Sequence, residues 1–177
     1  MKARSRRAAL SGVLCALAEV LLLLGGLVPA ALYACPILAM LALLPLREEY
    51  GPNAALTAWA AVSLLALLLC PDKELAGVYL ALGWYPPLQS RFDAIRPRLL
   101  RSAAKLAAFL LCTCVLYAAL VFLFQLESVV RELAEATPLL LLLLLLTGYL
   151  VFLLTDVLLR RFASLWRKTL RPRFLRS

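Results

Sequence analysis

Histidine is absent from this chain, and charged residues of either sign are scarce. The 177 residues contain no histidine, and Asp, Glu, Lys and Arg together make up 16%, against about 25% in globular domains. The missing imidazole removes the commonest metal ligand and the usual general base. No phosphate loop or nucleophile motif compensates for this lack. The sequence therefore predicts a protein that is not an enzyme and has no metal site and no cofactor.

Cysteine is present in an arrangement that does not indicate disulfides. The five cysteines are an odd number and lie within or beside apolar runs, unlike a secreted disulfide framework. We expect them to pack as small buried apolar side chains. They are Cys15, Cys35, Cys70, Cys112 and Cys114.

What the chain does have is apolar sequence. Hydrophobic residues make up 64% of it, and a soluble domain of this size cannot bury that much apolar surface. Lipid is the expected solvent. The net charge of +9 comes from basic residues between and after apolar runs, where they would meet anionic lipid head groups rather than nucleic acid. We predict an all-α, multi-pass integral membrane protein.

Six apolar segments, separated by Gly and Pro turns, are candidates for bilayer crossings. The fourth is short for a hydrocarbon core of about 30 Å, so a re-entrant segment is its alternative. The predicted single transmembrane domain covers 1–159, and a basic amphipathic tail covers 160–177. The predicted spans are 8–24, 27–46, 54–70, 71–88, 103–126 and 139–159.

Lys and Arg concentrate on one side of the predicted bilayer. With six crossings and the N-terminus inside, 17 of the 19 lie on the cytoplasmic side, and only Lys73 and Arg131 lie outside. If segment 71–88 does not cross, 6 lie inside and 13 outside. Because short cytoplasmic loops carry an excess of Lys and Arg, we predict six crossings with both termini in the cytoplasm. Cys35 ends a lipobox-like stretch, but the apolar sequence continues past it, unlike a cleaved signal.

Two basic amphipathic segments, 88–101 and the one that begins at Arg160, flank predicted spans. Both are expected to lie as helices on the cytoplasmic surface, in contact with anionic lipid. The alternative is a docking surface for a protein partner. The residues of this predicted surface are Arg91, Arg96, Arg98, Arg101, Arg160, Arg161, Trp166, Arg167 and Lys168.

Two acidic residues lie inside predicted spans, where charge is expensive and marks candidate sites. Glu19, in the first span, could hold a cationic solute group or a coupling proton if it faces the bundle interior. The alternative is a structural carboxyl group. Asp156 precedes Arg160 by four residues, the spacing of an ordinary helix ion pair, which favours a structural role.

Other features of the spans indicate packing. Ala8, Gly12 and Ala16 place small residues every fourth position, which allows a partner helix to approach closely. Pro29 and Pro36 are expected to kink or open the second span. The leucine block 139–146 is suited to facing lipid.

The first 110 or so residues resemble the substrate-binding S-components of bacterial energy-coupling-factor transporters and their six-span relatives. The resemblance rests on the basic start that runs into 8–17 and on three short stretches. These are Arg47-Glu48-Glu49-Tyr50-Gly51, Pro71-Asp72-Lys73-Glu74 and Gly83-Trp84-Tyr85-Pro86-Pro87.

The resemblance implies six helices, cytoplasmic ends, the bacterial cytoplasmic membrane and a small-molecule site near the outer side. By position, Glu19, Asp72, Lys73 and Glu74 correspond to that site. Ala8, Gly12 and Ala16 correspond to the face that docks a membrane partner. The loop after the first span is reduced to Gly25-Gly26, where vitamin-binding members have a longer lid, which argues against a vitamin.

These observations lead to two functional hypotheses. The first is a component that captures an unknown small molecule and relies on a membrane T-component and ATPases, because the chain has no nucleotide-binding motif. The second is a non-transporting scaffold of the cell-shape or cell-envelope type, whose basic inner surface recruits partners.

Overall fold

The computed structural model describes residues 2–27, 31–118 and 137–170. Within these ranges the chain is helical and has no strand, so the all-α prediction is confirmed. The helices are α1 Lys2–Gly25, α2 Ala34–Tyr50, α3 Pro52–Leu69, α4 Lys73–Leu82, α5 Tyr85–Asp93, α6 Arg98–Ala118 and α7 Pro138–Leu165, which continues into a π-helical turn Trp166–Leu170.

Four of the described helices are long and apolar enough to cross a membrane, which makes this a membrane protein by length and composition. The stretches are Arg7–Gly25, Pro52–Leu69, Arg98–Ala118 and Pro138–Lys168. Two other predicted spans correspond to shorter helices. Helix α2 has 17 residues, and the fourth predicted span is divided between α4 and the beginning of α5. The end of the fifth predicted span, 119–126, lies outside the described residues.

The helix boundaries follow from local chemistry. Gly51 adopts a φ of 87°, a conformation that disfavours side chains with a Cβ, and it separates α2 from α3. Asp72 caps α4, because its Oδ1 accepts hydrogen bonds from the backbone N–H groups of Glu74 at 2.9 Å and Leu75 at 3.3 Å. Prolines lie in the first turns of α3, α5 and α7, where no intrahelical N–H is required.

Several predicted boundaries differ from the observed ones. Pro86 and Pro87 begin α5 instead of ending the fourth segment. The predicted surface helix 88–101 is interrupted at 94–97, because Pro97 disfavours the helical conformation for the preceding residue. Pro36 does not kink a span, since α2 begins only at Ala34 and Pro36 lies in its first turn. Pro29 lies outside the described residues.

Contacts between helix ends give the directions of the first three helices. The Cys70 thiol lies 3.6 Å from the Leu22 carbonyl oxygen, so the ends of α1 and α3 are neighbours. The Arg7 guanidinium lies 5.4 Å from the centroid of the Tyr50 ring, so the beginning of α1 is near the beginning of α3. Helices α1 and α3 therefore run in the same direction, with α2 opposite. We call the two ends of the bundle the Cys70 end and the Arg47 end.

The two ends of the described chain lie at the same end of the bundle. The Trp166 indole, just after α7, donates a hydrogen bond of 3.3 Å to a carboxylate oxygen of Glu49. Glu49 is adjacent to Tyr50, which contacts Arg7 near the beginning of α1. Both contacts are at the Arg47 end.

The interior divides into two buried clusters. The first contains residues of all four helices α1, α2, α3 and α4 and is rich in alanine. Small side chains let helix backbones approach closely. The second joins α2 to α5, α6 and α7 around Tyr85, Phe109 and Phe152, with ring centroids 4.7 to 5.6 Å apart. The leucines of 139–146 are all exposed, from 36% to 74%, as a lipid-facing block requires.

All five cysteines are free thiols. Cys70 and Cys112 are buried and Cys15 and Cys35 half-buried, in keeping with small apolar side chains. Cys114 is exposed, which differs from the prediction. It lies on a face of α6 that no described helix covers.

Candidate functional site

A buried aspartate on α7 is the centre of a polar cluster at the Arg47 end. The Asp156 side chain is 1% exposed. Its Oδ1 accepts hydrogen bonds of 2.7 Å from the Tyr85 hydroxyl and from Gln89 Nε2. Gln89 Nε2 also lies 2.9 Å from the Asp156 backbone oxygen. Tyr85 and Gln89 are four residues apart on α5, so one face of that short helix supplies both donors.

Two basic residues complete the environment of Asp156. Lys105 of α6 is 5% exposed, and its Nζ lies 2.8 Å from Asp156 Oδ2 and 2.8 Å from Asp93 Oδ1. Arg160 pairs with Asp156 Oδ2 and lies 3.8 Å from Asp93 Oδ1. Two acids and two bases thus balance in charge, which buried ionic groups require.

The cluster continues into α2 through Gln89. Arg47 Nη1 donates to Gln89 Oε1 at 3.2 Å and to the Pro86 carbonyl oxygen at 2.7 Å. Arg47 also pairs with Glu48 at 2.7 Å, and Glu48 lies 3.4 Å from Arg167. We call the connected set the Asp156 network. Its members are Arg47, Glu48, Tyr85, Gln89, Asp93, Lys105, Asp156, Arg160 and Arg167.

The Asp156 network joins four helices, α2, α5, α6 and α7, at one end of the bundle. The sequence predicted only the pair of Asp156 with Arg160, which the structure contains. It missed Tyr85, Gln89 and Lys105, although Lys105 inside an apolar stretch was a signal for a buried partner. With its donors and acceptors matched, this arrangement holds helices together.

A second set of polar residues lies on helices of the first core cluster and differs because its oxygens are unmatched. Glu19 is 8% exposed and faces the bundle interior, the condition set for a functional role. Neither carboxylate oxygen has a hydrogen-bond partner. The hydroxyls of Ser63 and Tyr79, at 1% and 0% exposure, also have none. Tyr79 lies within electrostatic range of Glu19.

The other residues predicted for a ligand site lie at the α3–α4 turn, at the Cys70 end. Cys70 is within electrostatic range of Glu19, Asp72 and Lys73, so the structure brings these residues into one region. Lys73 Nζ donates to the carbonyl oxygens of Leu67 at 2.7 Å and Cys70 at 3.0 Å, which caps the end of α3. Asp72 caps α4. Glu74 is half-buried in the first turn of α4.

No protein-family model, curated protein or solved structure matches this chain. The resemblance to energy-coupling-factor S-components stays a prediction, and function has to be argued from the residues themselves.

The small-residue face of α1 lies on the outside of the described bundle. Ala8, Gly12 and Ala16 are exposed, and a Cβ added to Gly12 would meet no atom within 4 Å. No helix of the described ranges covers this face, so it is open to lipid or to a partner helix.

The residues predicted for a lipid or partner surface have different environments. Arg91, Arg96, Arg98, Arg161 and Lys168 are exposed, and Arg101 is half-exposed. Trp166 is 8% exposed and lies against Glu49. Arg160 and Arg167 are exposed but take part in the Asp156 network. The exposed members are free to meet phosphate-bearing head groups.

A small cavity lies beside the Asp156 network. Its wall includes Met40, Arg47, Trp59, Gly83 and Pro86. It has room for about one water molecule. This cavity is too small for a metabolite, and it lies at the opposite end from the predicted ligand site.

Proposed function

We propose that this chain is the solute-binding membrane component of a small-molecule uptake system of the energy-coupling-factor kind, located in the bacterial cytoplasmic membrane. The observation that carries the proposal is Glu19. An ionisable side chain inside a membrane helix is expensive, which makes it a candidate for a functional site. Asp156 is matched by donors from three other side chains and Arg160, whereas both oxygens of Glu19 have no partner.

The proposal includes six crossings with both termini in the cytoplasm. Support comes from the path of α4 and α5, which together form the fourth crossing. The chain enters α4 at Asp72, at the Cys70 end, and the Pro86 carbonyl accepts a hydrogen bond from Arg47 at the other end.

The energising module is a separate assembly in this proposal. The exposed face formed by Ala8, Gly12 and Ala16 contacts a helix of a membrane T-component, since small residues permit close backbone approach. ATPases bind on the cytoplasmic side. The basic surface residues of the Arg47 end contact anionic lipid there.

The scaffold hypothesis is the second candidate, and one observation favours it. The cavity at the Arg47 end holds about one water molecule, and the Asp156 network around it is matched in charge. A packed bundle suits a protein whose role is to position partners.

The experiment is affinity purification from native membranes, with mass spectrometry of small molecules and proteins that co-purify. The wild type is expected to retain a metabolite and an ATPase pair. Glu19→Gln should retain the ATPases and lose the metabolite, because only the carboxylate is removed. Gly12→Leu should retain the metabolite and lose the ATPases, because only the docking face is filled.

A different recovery would reject the proposal. Cell-wall or cytoskeletal partners without any metabolite would establish the scaffold role instead. A metabolite that is retained equally by wild type and Glu19→Gln would remove Glu19 from the site.

A further inference from the structure

We propose that Glu19, Ser63 and Tyr79 form a binding site for one small monovalent cation, either an inorganic ion or the ammonium group of a solute. The inference rests on the proposed function, in which Glu19 binds the solute. It adds the charge of the ligand that the Glu19 carboxylate binds. The observations that carry it are four unmatched, buried oxygen atoms on the mutually packed helices α1, α3 and α4.

Unmatched buried oxygens are unusual, because nearly all buried polar groups in proteins have a hydrogen-bond partner. Here both carboxylate oxygens of Glu19 and the hydroxyls of Ser63 and Tyr79 have none. Each of the three side chains is at least nine-tenths buried. A buried tyrosine hydroxyl usually finds a partner, so its lack of one among the described residues leaves this oxygen available to a ligand.

Ser63 differs from four threonines of the described helices. Four threonines donate to the backbone carbonyl four residues earlier, which is the ordinary way for a helical hydroxyl to be satisfied. They are Thr57, Thr113, Thr147 and Thr155. Ser63 makes no such bond, so its oxygen is available to a ligand.

The helix register brings the three residues to similar depths. Leu22 and Cys70 are level with each other, since their atoms are 3.6 Å apart. At about 1.5 Å per residue, Glu19 lies about 5 Å below Leu22, and Ser63 lies about 10 Å below Cys70. Helix α4 returns from the same end, which puts Tyr79 about 9 Å below Lys73. Gly83 lies against Trp59, so Tyr79 and Ser63, each one turn from that contact toward the Cys70 end, are level with each other.

Lys73, the cation of the same region, donates to the carbonyl oxygens of Leu67 and Cys70 and makes no hydrogen bond with Glu19. Helix α1 packs against α2, α3 and α4. Cys70 and Tyr79 lie within electrostatic range of Glu19. The charged residues of α2 are at the Arg47 end. An ionised Glu19 therefore needs a positive charge from outside the described chain.

The chemistry of the site sets the charge and type of the ligand. One carboxylate balances one positive charge, and the two hydroxyls add neutral oxygen ligands, as hard cations prefer. An ammonium group has three donors, which the carboxylate and the two hydroxyls can accept. A divalent or transition metal is disfavoured, because the described residues contain no group of three His, Cys, Asp or Glu side chains placed to hold one.

The test is thermal unfolding of the full chain in nanodiscs of neutral phosphatidylcholine, followed by tryptophan fluorescence. Sodium, potassium, lithium, ammonium and methylammonium chlorides are titrated at constant ionic strength against N-methylglucamine chloride. At a hundredfold excess over its Kd, the bound cation is expected to raise the Tm by about 5 °C or more. A response to sodium, potassium or lithium identifies an inorganic ion, and one confined to ammonium and methylammonium identifies a solute amine.

Variants distinguish cation binding at this site from nonspecific attraction of cations to the protein. Glu19→Gln should abolish the Tm shift, and Tyr79→Phe and Ser63→Ala should each reduce it by half or more. Asp93→Asn is the control, since it removes a half-buried carboxylate at the Arg47 end, away from Glu19; it should leave the shift unchanged. Tyr79→Phe and Ser63→Ala remove unmatched hydroxyls and should fold, so the test stands even if Glu19→Gln does not.

Three outcomes would overturn the inference. These are no cation response in the wild type, an equal response in Glu19→Gln, and stabilisation that follows pH alone, which would identify the ligand as a proton. The proposed function is judged separately by the co-purification experiment. If a metabolite co-purifies but no cation raises the Tm, the uptake function stands and the cation site is rejected. If a cation raises the Tm but no metabolite co-purifies, the cation site stands and the uptake function is rejected.

Discussion

The carboxylates of Glu19 and Asp156 lie in membrane helices but have opposite environments. Asp156 meets Tyr85, Gln89, Lys105 and Arg160. Its full set of partners fits a structural role that fixes α7 against α5 and α6. For Glu19, the described residues provide packing from apolar neighbours and no hydrogen bond. A buried ionic group without partners is destabilising, which is the reason for proposing a ligand for Glu19.

Asp156→Asn is expected to lower the free energy of unfolding by about 3 kcal/mol or more, because removing the negative charge leaves the buried positive charge of Lys105 without its full balance. Lys105→Met should have a comparable effect for the converse reason. The double variant should lose less than the sum of the two, since it leaves neither charge unpaired. Thermal or denaturant unfolding in detergent micelles measures all three.

Strict additivity in this double-mutant cycle would show that Lys105 and Asp156 do not interact. Asp93→Asn is a useful comparison within the network. Asp93 is 28% exposed in its side chain, so water screens its charge and its replacement should have a smaller effect.

At the scale of helices, two glycines allow neighbouring helices to approach each other closely. A Cβ on Gly83 would lie 2.5 Å from Trp59 Cδ1 and 2.6 Å from the Tyr79 carbonyl oxygen. A Cβ on Gly25 would lie 2.6 Å from atoms of Cys35 and Leu75. Gly83 thus allows α4 to end against α3, and Gly25 allows α1 to end against α2 and α4.

Gly83→Ala is expected to destabilise the folded protein by about 1 to 3 kcal/mol, because the added methyl group overpacks the contact with Trp59. Gly12→Ala is the matched control. Its methyl group meets no atom within 4 Å, and alanine favours the helix, so stability should stay the same or rise. Unfolding temperatures in the same detergent compare the two, and equal losses would show that the α3–α4 contact is not tight.

For the whole molecule, the membrane topology depends on which helix ends lie on the same side of the membrane. Arg7 contacts Tyr50 and Trp166 contacts Glu49, so the beginning of α1 and the end of α7 are together. Pro71 is exposed at the other end. The excess of Lys and Arg at the first of these ends predicts that it is cytoplasmic.

Single cysteines introduced as Ser5→Cys, Pro71→Cys and Lys168→Cys, with the five native cysteines replaced by alanine, test this arrangement. A membrane-impermeant thiol reagent should label position 71 in intact cells. It should label positions 5 and 168 only in inside-out vesicles, because six crossings return the chain to its starting side. Labelling of positions 5 and 168 from opposite sides would remove the six-span topology, the outer location of Glu19 and the cytoplasmic partner surface together.

Parts of the candidate site were open to sequence reasoning and parts were not. Glu19 was identifiable because a lone carboxylate in an apolar run is conspicuous. Asp72 and Lys73 were chosen by position, but the structure shows them capping α4 and α3. Ser63 and Tyr79 have ordinary sequence contexts. Nothing local indicates that their hydroxyls are unmatched, because that depends on what neighbouring helices supply.

The sequence by itself determined that the chain is helical and belongs in lipid. Long apolar runs need a lipid solvent, and backbone groups in lipid must bond within their own helix. Only the tertiary structure decided the partners of Asp156. Its contacts with Tyr85, Gln89 and Lys105 join residues 71, 67 and 51 positions apart. Such pairs depend on how separate helices rotate and pack, and no local pattern along the chain records that.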